Sequence, residues 1–399
     1  MDRLDYNRFY HLIPAQKHYA WGSETKIQEL TGLAKDGKPL AEIWMGNHPN
    51  GMSYIEAEGK RLPVSDFIAS DPEKALGMEC IKKFGSLPFL FKLLAAEKPL
   101  SIQAHPDSET AQAGFEREER NQIPMDHFTR VYKDPNHKRE MIYAISPFYT
   151  LKGFRSREEI KVNFKKFFPF SGNAFVDFRY SGEEDFYKKF FTRLLSMDQT
   201  LRKAMLRELE KTSSAMNEVE LFIFRKLLYD FPGDRCVFAP LFLNCIMLNP
   251  GECMSIDEGQ LHSYVDGLCF EVMSSSDNTI RGGLTEKFID VLELFNIMKF
   301  VHGSKVCVEP VSKGIEMLYS PGWDEFCFSS IITEGKLYTG PAEHSLEIIF
   351  VYSGTGRIEN SAFSLDIRSG MALLIPAASG RYTISGSPDL MLYKAAMPL

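Results

Sequence analysis

No Cys-x-x-Cys pair occurs among the seven cysteines of this chain (Cys80, Cys236, Cys245, Cys253, Cys269, Cys307 and Cys327). Their odd number and scattered spacing exclude a disulfide scaffold and a thiolate zinc site, and they suit a reducing compartment. Positive charge is not in excess: 46 Lys and Arg stand against 53 Asp and Glu, a net charge of −7. That balance argues against a nucleic-acid binder, which needs a basic surface. It leaves room for a small anionic substrate, because two or three local cations or backbone N–H groups hold a phosphate inside an acidic protein. No apolar run approaches the roughly 20 residues that a membrane-spanning helix needs. The longest, from Cys236 to Leu248, is interrupted by Pro240 and Asn244. The first residues, Met1 to Arg8, alternate in charge and have no apolar core, unlike a signal peptide. The expectation is a cytoplasmic protein with no nucleic-acid or membrane partner.

Apolar residues make up 44% of the 399 positions and aromatics 13%, enough for packed interiors in two or three domains. Three textures follow one another. Residues 1–154 are short apolar runs broken by Gly, Pro and Asn, which read as strands and turns with one or two helices. Residues 155–235 are charged and helix-periodic: Phe186, Tyr187, Phe190, Phe191, Leu194 and Leu195 form an amphipathic stripe. Asp198 is placed to cap the next helix, and Glu218 to Phe231 repeats the pattern. From residue 236 the texture is β again. The tail pairs His344–Gly354 with Gly370–Pro376, a second strand series without metal ligands. The expected division is 1–154 with 236–315, an inserted helical domain over 155–235, and a degenerate C-terminal domain over 316–399.

Gln103 and His105 alternate by two, so on a strand both side chains leave the same face. A third donor, His262, follows the glycine turn that begins at Gly251. Glycine, five residues, a turn, two residues and a histidine resembles the second signature of the cupin barrel, with Asp257 where proline is usual. A metal site of this kind still needs a carboxylate. Asp107 and Glu109 are near His105 but on a segment that reads as a turn; Glu140, which opens an apolar run, is the stronger candidate. Two imidazoles, a carboxylate and an amide oxygen suit a borderline cation such as zinc, with a position left open.

The segment Glu271 to Lys287 is a serine-rich loop with an Asp-Asn pair and an Arg-Gly-Gly bend, poor packing material that is either solvated or binds something. Arg281 offers planar, permanently charged donors there, and Lys287 a point charge suited to phosphate.

Together these segments resemble the type I mannose-6-phosphate isomerases (phosphomannose isomerases) of the cupin superfamily. The likeness runs through Tyr19-Ala-Trp-Gly-Ser23, Ala41 to Gly46 with His48 and Pro49, Leu87 to Leu94, Pro99 to Pro106, Asn136 to Glu140, Gly259 to Tyr264, and Ser276 to Lys287. The resemblance implies a mainly β fold with an α insertion: two cupin-like jelly-roll barrels plus a helical domain. It implies a zinc enzyme, one ion per chain, that interconverts mannose 6-phosphate and fructose 6-phosphate for carbohydrate metabolism or GDP-mannose synthesis, working as a monomer. The zinc ligands would be Gln103, His105, Glu140 and His262. Arg281 matches the essential arginine; Ser101 and Lys287 match positions associated with the substrate phosphate; Lys138, Asp277, Tyr264 and Glu271 match other active-site positions. The chain departs from the pattern at Arg139 and Glu286, where proline is common.

Such an isomerisation removes a carbon-bound proton beside a carbonyl and passes through an enediol or enediolate. Lys138 and Asp277 are the expected acid/base groups, with His137 third, and a hydride shift is the other route. The rival readings are a metal-dependent cupin oxygenase and a non-enzymatic sugar-binding or regulatory cupin.

Overall fold

The computed structural model describes residues 4–57, 59–170, 172–178, 182–303 and 307–399. The first three residues of the charge-alternating N-terminus therefore lie outside it. Strands outnumber helices among the described residues, and the organising element is the 13-residue strand His262–Ser274. Antiparallel to it run Phe89–Ala96, Glu140–Ala144, Phe148–Phe154 and the short Ile102–Ala104. Nearly every residue of Phe89–Ala96 and His262–Ser274 is buried, so these strands are covered on both faces.

A ten-stranded sheet is built on this spine, from Leu243–Leu248 at one end to Ala15–Lys17 at the other. A nine-stranded sheet packs against it: Phe270 lies 4.6 Å from Tyr393 and 5.4 Å from Phe350 between ring centroids, and Phe91 lies 6.1 Å from Phe328. Each such ring removed from water contributes on the order of 1.5–3 kcal/mol. The nine-stranded sheet draws on both ends of the sequence, since Tyr10–Ile13 pairs with Ala372–Ile375 and with Tyr54–Ala57. A four-stranded sheet, with Thr355–Glu359 between Ser364–Arg368 and Thr383–Gly386, completes the C-terminal part. The strand pairings run as open sheets and not as the closed barrels expected from the jelly-roll reading.

The helical stretch has the expected start signals. Ser156 and Glu159 form a capping box for Arg157–Phe167, and Asn217 and Glu220 do the same for Glu218–Asp230. Asp198 accepts from the Leu201 amide at 2.9 Å at the start of Gln199–Thr212. The Glu183–Leu195 helix buries Phe186, Tyr187, Phe190, Phe191 and Leu194, and these meet Phe154, Phe164 and Phe242 in one aromatic core. Phe154 closes a strand of the site sheet, so this core anchors the helices beside the site.

Candidate active site

Three buried side chains converge where the short strands meet the spine. His105 Nε2 lies 3.2 Å from Glu140 Oε1, and His262 Nε2 lies 3.2 Å from Glu140 Oε2. Gln103, opposite His262 in register, brings its amide to 3.3 Å from His262 Nε2. Outer contacts fix both ring orientations. His105 Nδ1 donates to the Asn278 carbonyl at 2.7 Å, and His262 Nδ1 donates to the Gln260 carbonyl at 2.9 Å. With Nδ1 carrying the proton, each Nε2 presents a lone pair inward. Burial, reinforced by Lys138, pushes the His105 pKa down to about 4, so the ring stays neutral. Its buried Nε2 has no hydrogen-bond partner, because its lone pair faces the acceptor oxygens of Glu140.

Among the described residues, His105, Glu140 and His262 are the one group of His, Cys, Asp or Glu donors that could hold a metal, their ligand atoms within 4.8 Å of one another. Two imidazoles, one with an orphaned inward nitrogen, an ionised carboxylate and an amide on the fourth side fit a divalent cation of the zinc type. Gln103 presents its NH2 group to this point, while its Oε1 accepts from Ser101 Oγ at 3.4 Å; an amide turned by half a revolution supplies the oxygen donor. Gly259 explains part of the local backbone. Its φ of 73° and its N–H bond to the His105 carbonyl at 2.8 Å set the turn before His262, and a Cβ there would meet the Ile297 carbonyl at 2.6 Å.

Around this centre lies a buried polar network. Burial alone would raise the Glu140 pKa, but Lys138, with Nζ at 3.0 Å, holds the carboxyl well below the usual carboxylate range. Tyr264 donates its hydroxyl to Glu271 at 2.7 Å and lies 3.1 Å from Glu140 Oε2. Lys92 Nζ meets Glu271 Oε2 at 2.9 Å and Glu42 Oε1 at 3.6 Å, and Trp44 Nε1 donates to Glu42 at 2.9 Å. Burial pushes the Glu271 pKa up, with Lys92 opposing and Glu140 adding to it. For Lys92 burial pulls down but the two carboxylates outweigh it, so the ammonium is held charged. Two carboxylates joined through one phenol thus have pKa values pushed in opposite directions.

Asp277 stands apart from Glu140, beside the turn at His48. Asn50 Nδ2 donates to its Oδ2 at 2.5 Å, and His48 Nε2 approaches Oδ1 at 3.6 Å. His48 Nδ1 accepts from the Asn50 amide at 3.3 Å, which leaves the ring proton on Nε2, facing the carboxylate. Arg281 pairs in register with Gln103, and a bulge follows it. Gly283 is required at that bulge, because a Cβ would come 2.3 Å from Cys236 Sγ. Among the described residues Arg281 and Lys287 have no acidic partner within ion-pair distance. Burial lowers the pKa of both, and for Lys287 the charges of Arg281 and Lys133 add to the effect. Ser101 is half-buried at the start of the same short strand. His137 is turned away: its Nε2 lies 2.5 Å from Glu325 and its Nδ1 2.7 Å from Ser108 Oγ, so the third-choice proton-transfer group does not face the centre.

Sequence reading missed three residues that the fold brings here. Lys92 sits within an apolar strand, and that isolated charge was the available signal. Asn278 is fully buried and binds the Lys133 amide at 2.7 Å and the Asp134 and Asn136 carbonyls at 2.7 and 2.9 Å. His48 was quoted only as part of a motif, and nothing in sequence spacing tied it to Asp277.

The chain matches the model of the phosphomannose isomerase type I catalytic domain over residues 9–157. Mannose-6-phosphate isomerase of Escherichia coli (strain K12) is 35% identical over 381 residues, covering 94% of this chain and 96% of that protein. Mannose-6-phosphate isomerase 1 of Arabidopsis thaliana is 30% identical over 426 residues, covering 98% and 95%. The solved structure of mannose 6-phosphate isomerase from Salmonella typhimurium, bound to its substrate and a zinc atom, is similar with a TM-score of 0.90 and 32% identity, over 98% of this chain and 100% of that one. A zinc-bound mannose 6-phosphate isomerase structure gives 0.91 and 33%, with the same coverage.

Proposed function

The chain belongs to the type I phosphomannose isomerase family, and from that premise we propose that Gln103, His105, Glu140 and His262 hold its zinc ion while Lys138, Asp277, Arg281 and Lys287 handle the phosphosugar. The activity is the zinc-dependent interconversion of mannose 6-phosphate and fructose 6-phosphate. The observation that carries the site reading is the pair of inward Nε2 lone pairs flanking Glu140, one of them buried without a hydrogen bond. Seven unpaired cysteines suit a reducing, cytoplasmic setting.

Zinc bound there supplies Lewis-acid polarisation of a sugar oxygen. Arg281, half-buried and free of an acidic partner among the described residues, is placed to stabilise negative charge developing on the enediolate. Lys287 binds the phosphate and Ser101 adds a hydroxyl, so remote binding holds the sugar in register for the chemical step. Lys138 and Asp277 divide the proton work. Lys138 Nζ spends one donor on Glu140 and keeps others for the substrate. Asp277, steadied by Asn50 and His48, accepts a proton from the sugar in ring opening or from carbon in isomerisation. Tyr264 and Glu271 shape the wall beside the sugar.

A coupled assay with mannose 6-phosphate on metal-replete protein tests the activity; absence of turnover would overturn it. Run in deuterated water, the reaction is expected to leave solvent deuterium in the product. Product free of deuterium would point to a hydride shift between the two carbons and would leave the acid/base groups ring opening alone.

A further inference from the structure

The residues just before Glu140 alternate between two environments. Lys138 and Glu140 are buried against the metal-binding centre. His137 and Arg139 turn the other way, towards the segment Trp323–Phe326 that leads into the strand Cys327–Ile332 of the nine-stranded sheet. Glu325 is the point of contact. Its Oε1 takes His137 Nε2 at 2.5 Å and lies 3.6 Å from Arg139 Nη1, while the Arg139 guanidinium stands 5.5 Å from the Trp323 ring centroid. The same two side chains reach further. His137 Nδ1 binds Ser108 Oγ at 2.7 Å, and Arg139 Nε lies 2.7 Å from Glu258 Oε1.

Ser108 stands three residues after His105, Arg139 directly before Glu140, and Glu258 four residues before His262. One connected set of hydrogen bonds and charge contacts therefore touches the chain beside each of the three donors. The Arg139 backbone adds two bonds to Ser274, its amide donating to Ser274 Oγ at 3.2 Å and its carbonyl accepting from the Ser274 amide at 2.9 Å. Glu325 Oε2 is buried without any hydrogen-bond partner. A carboxylate kept only for local packing would satisfy both oxygens, since an unpaired buried oxygen costs free energy. Here one oxygen faces both His137 and Arg139 and the other goes unpaired.

We propose that Glu325, on the segment that leads into the nine-stranded sheet, is a positioning residue of the isomerase site: through His137 and Arg139 it fixes the segment that carries Lys138 and Glu140. The proposal rests on the site reading given above and gives the C-terminal part of the chain a role in catalysis without contact to substrate. Lys138 and Glu140 need placement to within a fraction of an ångström to act, and the extended segment that carries them has its outward side chains held by the segment leading into another sheet.

The test compares Glu325→Gln, Glu325→Ala and Glu325→Asp with Asp324→Ala, which breaks the exposed Lys83–Asp324 pair (2.6 Å) at the same junction. Measured are kcat and KM for mannose 6-phosphate, zinc affinity by chelator competition, and thermal unfolding. Outer-shell partners of metal ligands are typically worth about 10–100-fold in metal affinity or activity. Glu325→Gln, close to isosteric, is expected to lower kcat or zinc affinity by about tenfold with KM little changed, and Glu325→Ala by more, with Glu325→Asp recovering part of the loss. Asp324→Ala should leave all three unchanged. Wild-type kcat and zinc affinity in a folded Glu325→Gln variant would overturn the proposal, as would an equal loss in Asp324→Ala. If the wild-type protein itself neither bound zinc nor turned over, the underlying site reading would be at fault, a result distinct from either.

Discussion

Lys92 and Glu271 face each other across paired strands, directly in register, with Nζ 2.9 Å from Oε2 and both side chains buried. The pair fills the wall beside the metal-binding centre and is joined to it through Tyr264. Removing one partner of a buried ion pair leaves the other charge uncompensated, which costs about 3–5 kcal/mol.

Lys92→Met is accordingly expected to destabilise the fold by about 3 kcal/mol or more, read from urea unfolding, because Glu271 and Glu42 lose their shared cation. A loss below about 1 kcal/mol would mean that the pair is far more hydrated than its burial indicates.

The metal-free protein should lose stability as pH falls through the weakly acidic range. The His105 pKa is pushed from the ordinary 6.5 down to about 4, so between those values the unfolded chain binds a proton that the folded chain refuses. Stability is therefore full above about 6.5 and declines towards pH 4, by up to about 3 kcal/mol from this group. Glu140, held well below its usual range, acts in the same direction at lower pH: its contribution is present above the unfolded carboxylate pKa and is lost as pH drops through the folded one. Unfolding midpoints of apo-protein across pH 4 to 8 check this, and His105→Gln should flatten the slope above pH 4. An unchanged slope in that variant would remove His105 as its source.

Arg281→Ala and Lys287→Ala should separate two effects. Neither removes a proposed metal ligand, so zinc content stays at the wild-type level in both. Arg281→Ala is expected to lower kcat by about 100-fold or more, the size of losing one preorganised donor to developing negative charge. Lys287→Ala should raise KM by roughly tenfold and lower kcat by less than Arg281→Ala does, since the phosphate contact both binds the sugar and holds it in register. Normal turnover in Arg281→Ala would refute its assigned role.

Much of the candidate site was legible in sequence because its signals are local. Gln103 and His105 share a strand face by period two, Glu140 opens an apolar run, and the Gly259 turn announces His262. The helices were legible for the same reason, as at Asp198. The partnership of Lys92 with Glu271 was not, because it spans 179 residues and depends on strand register. The serine-rich loop was misleading in another way. Ser276 and Asn278 are fully buried, their polar groups met by backbone atoms of residues 133–136, a pairing that composition does not reveal. Pairing of Tyr10–Ile13 with Ala372–Ile375 joins opposite ends of the sequence, and no periodicity reports it. Whether sheets close into barrels depends on stagger and tilt summed over many strands, which short motifs do not encode.

Zinc content and activity measured together on the same samples test the metal centre most directly. The protein should bind one zinc per chain, lose turnover of mannose 6-phosphate on chelation and regain it in step with added zinc, whereas His262→Ala should lose metal and activity together. Full turnover in zinc-free protein, or in a His262→Ala variant without metal, would contradict the assignment of His105, Glu140 and His262 as the centre of the site.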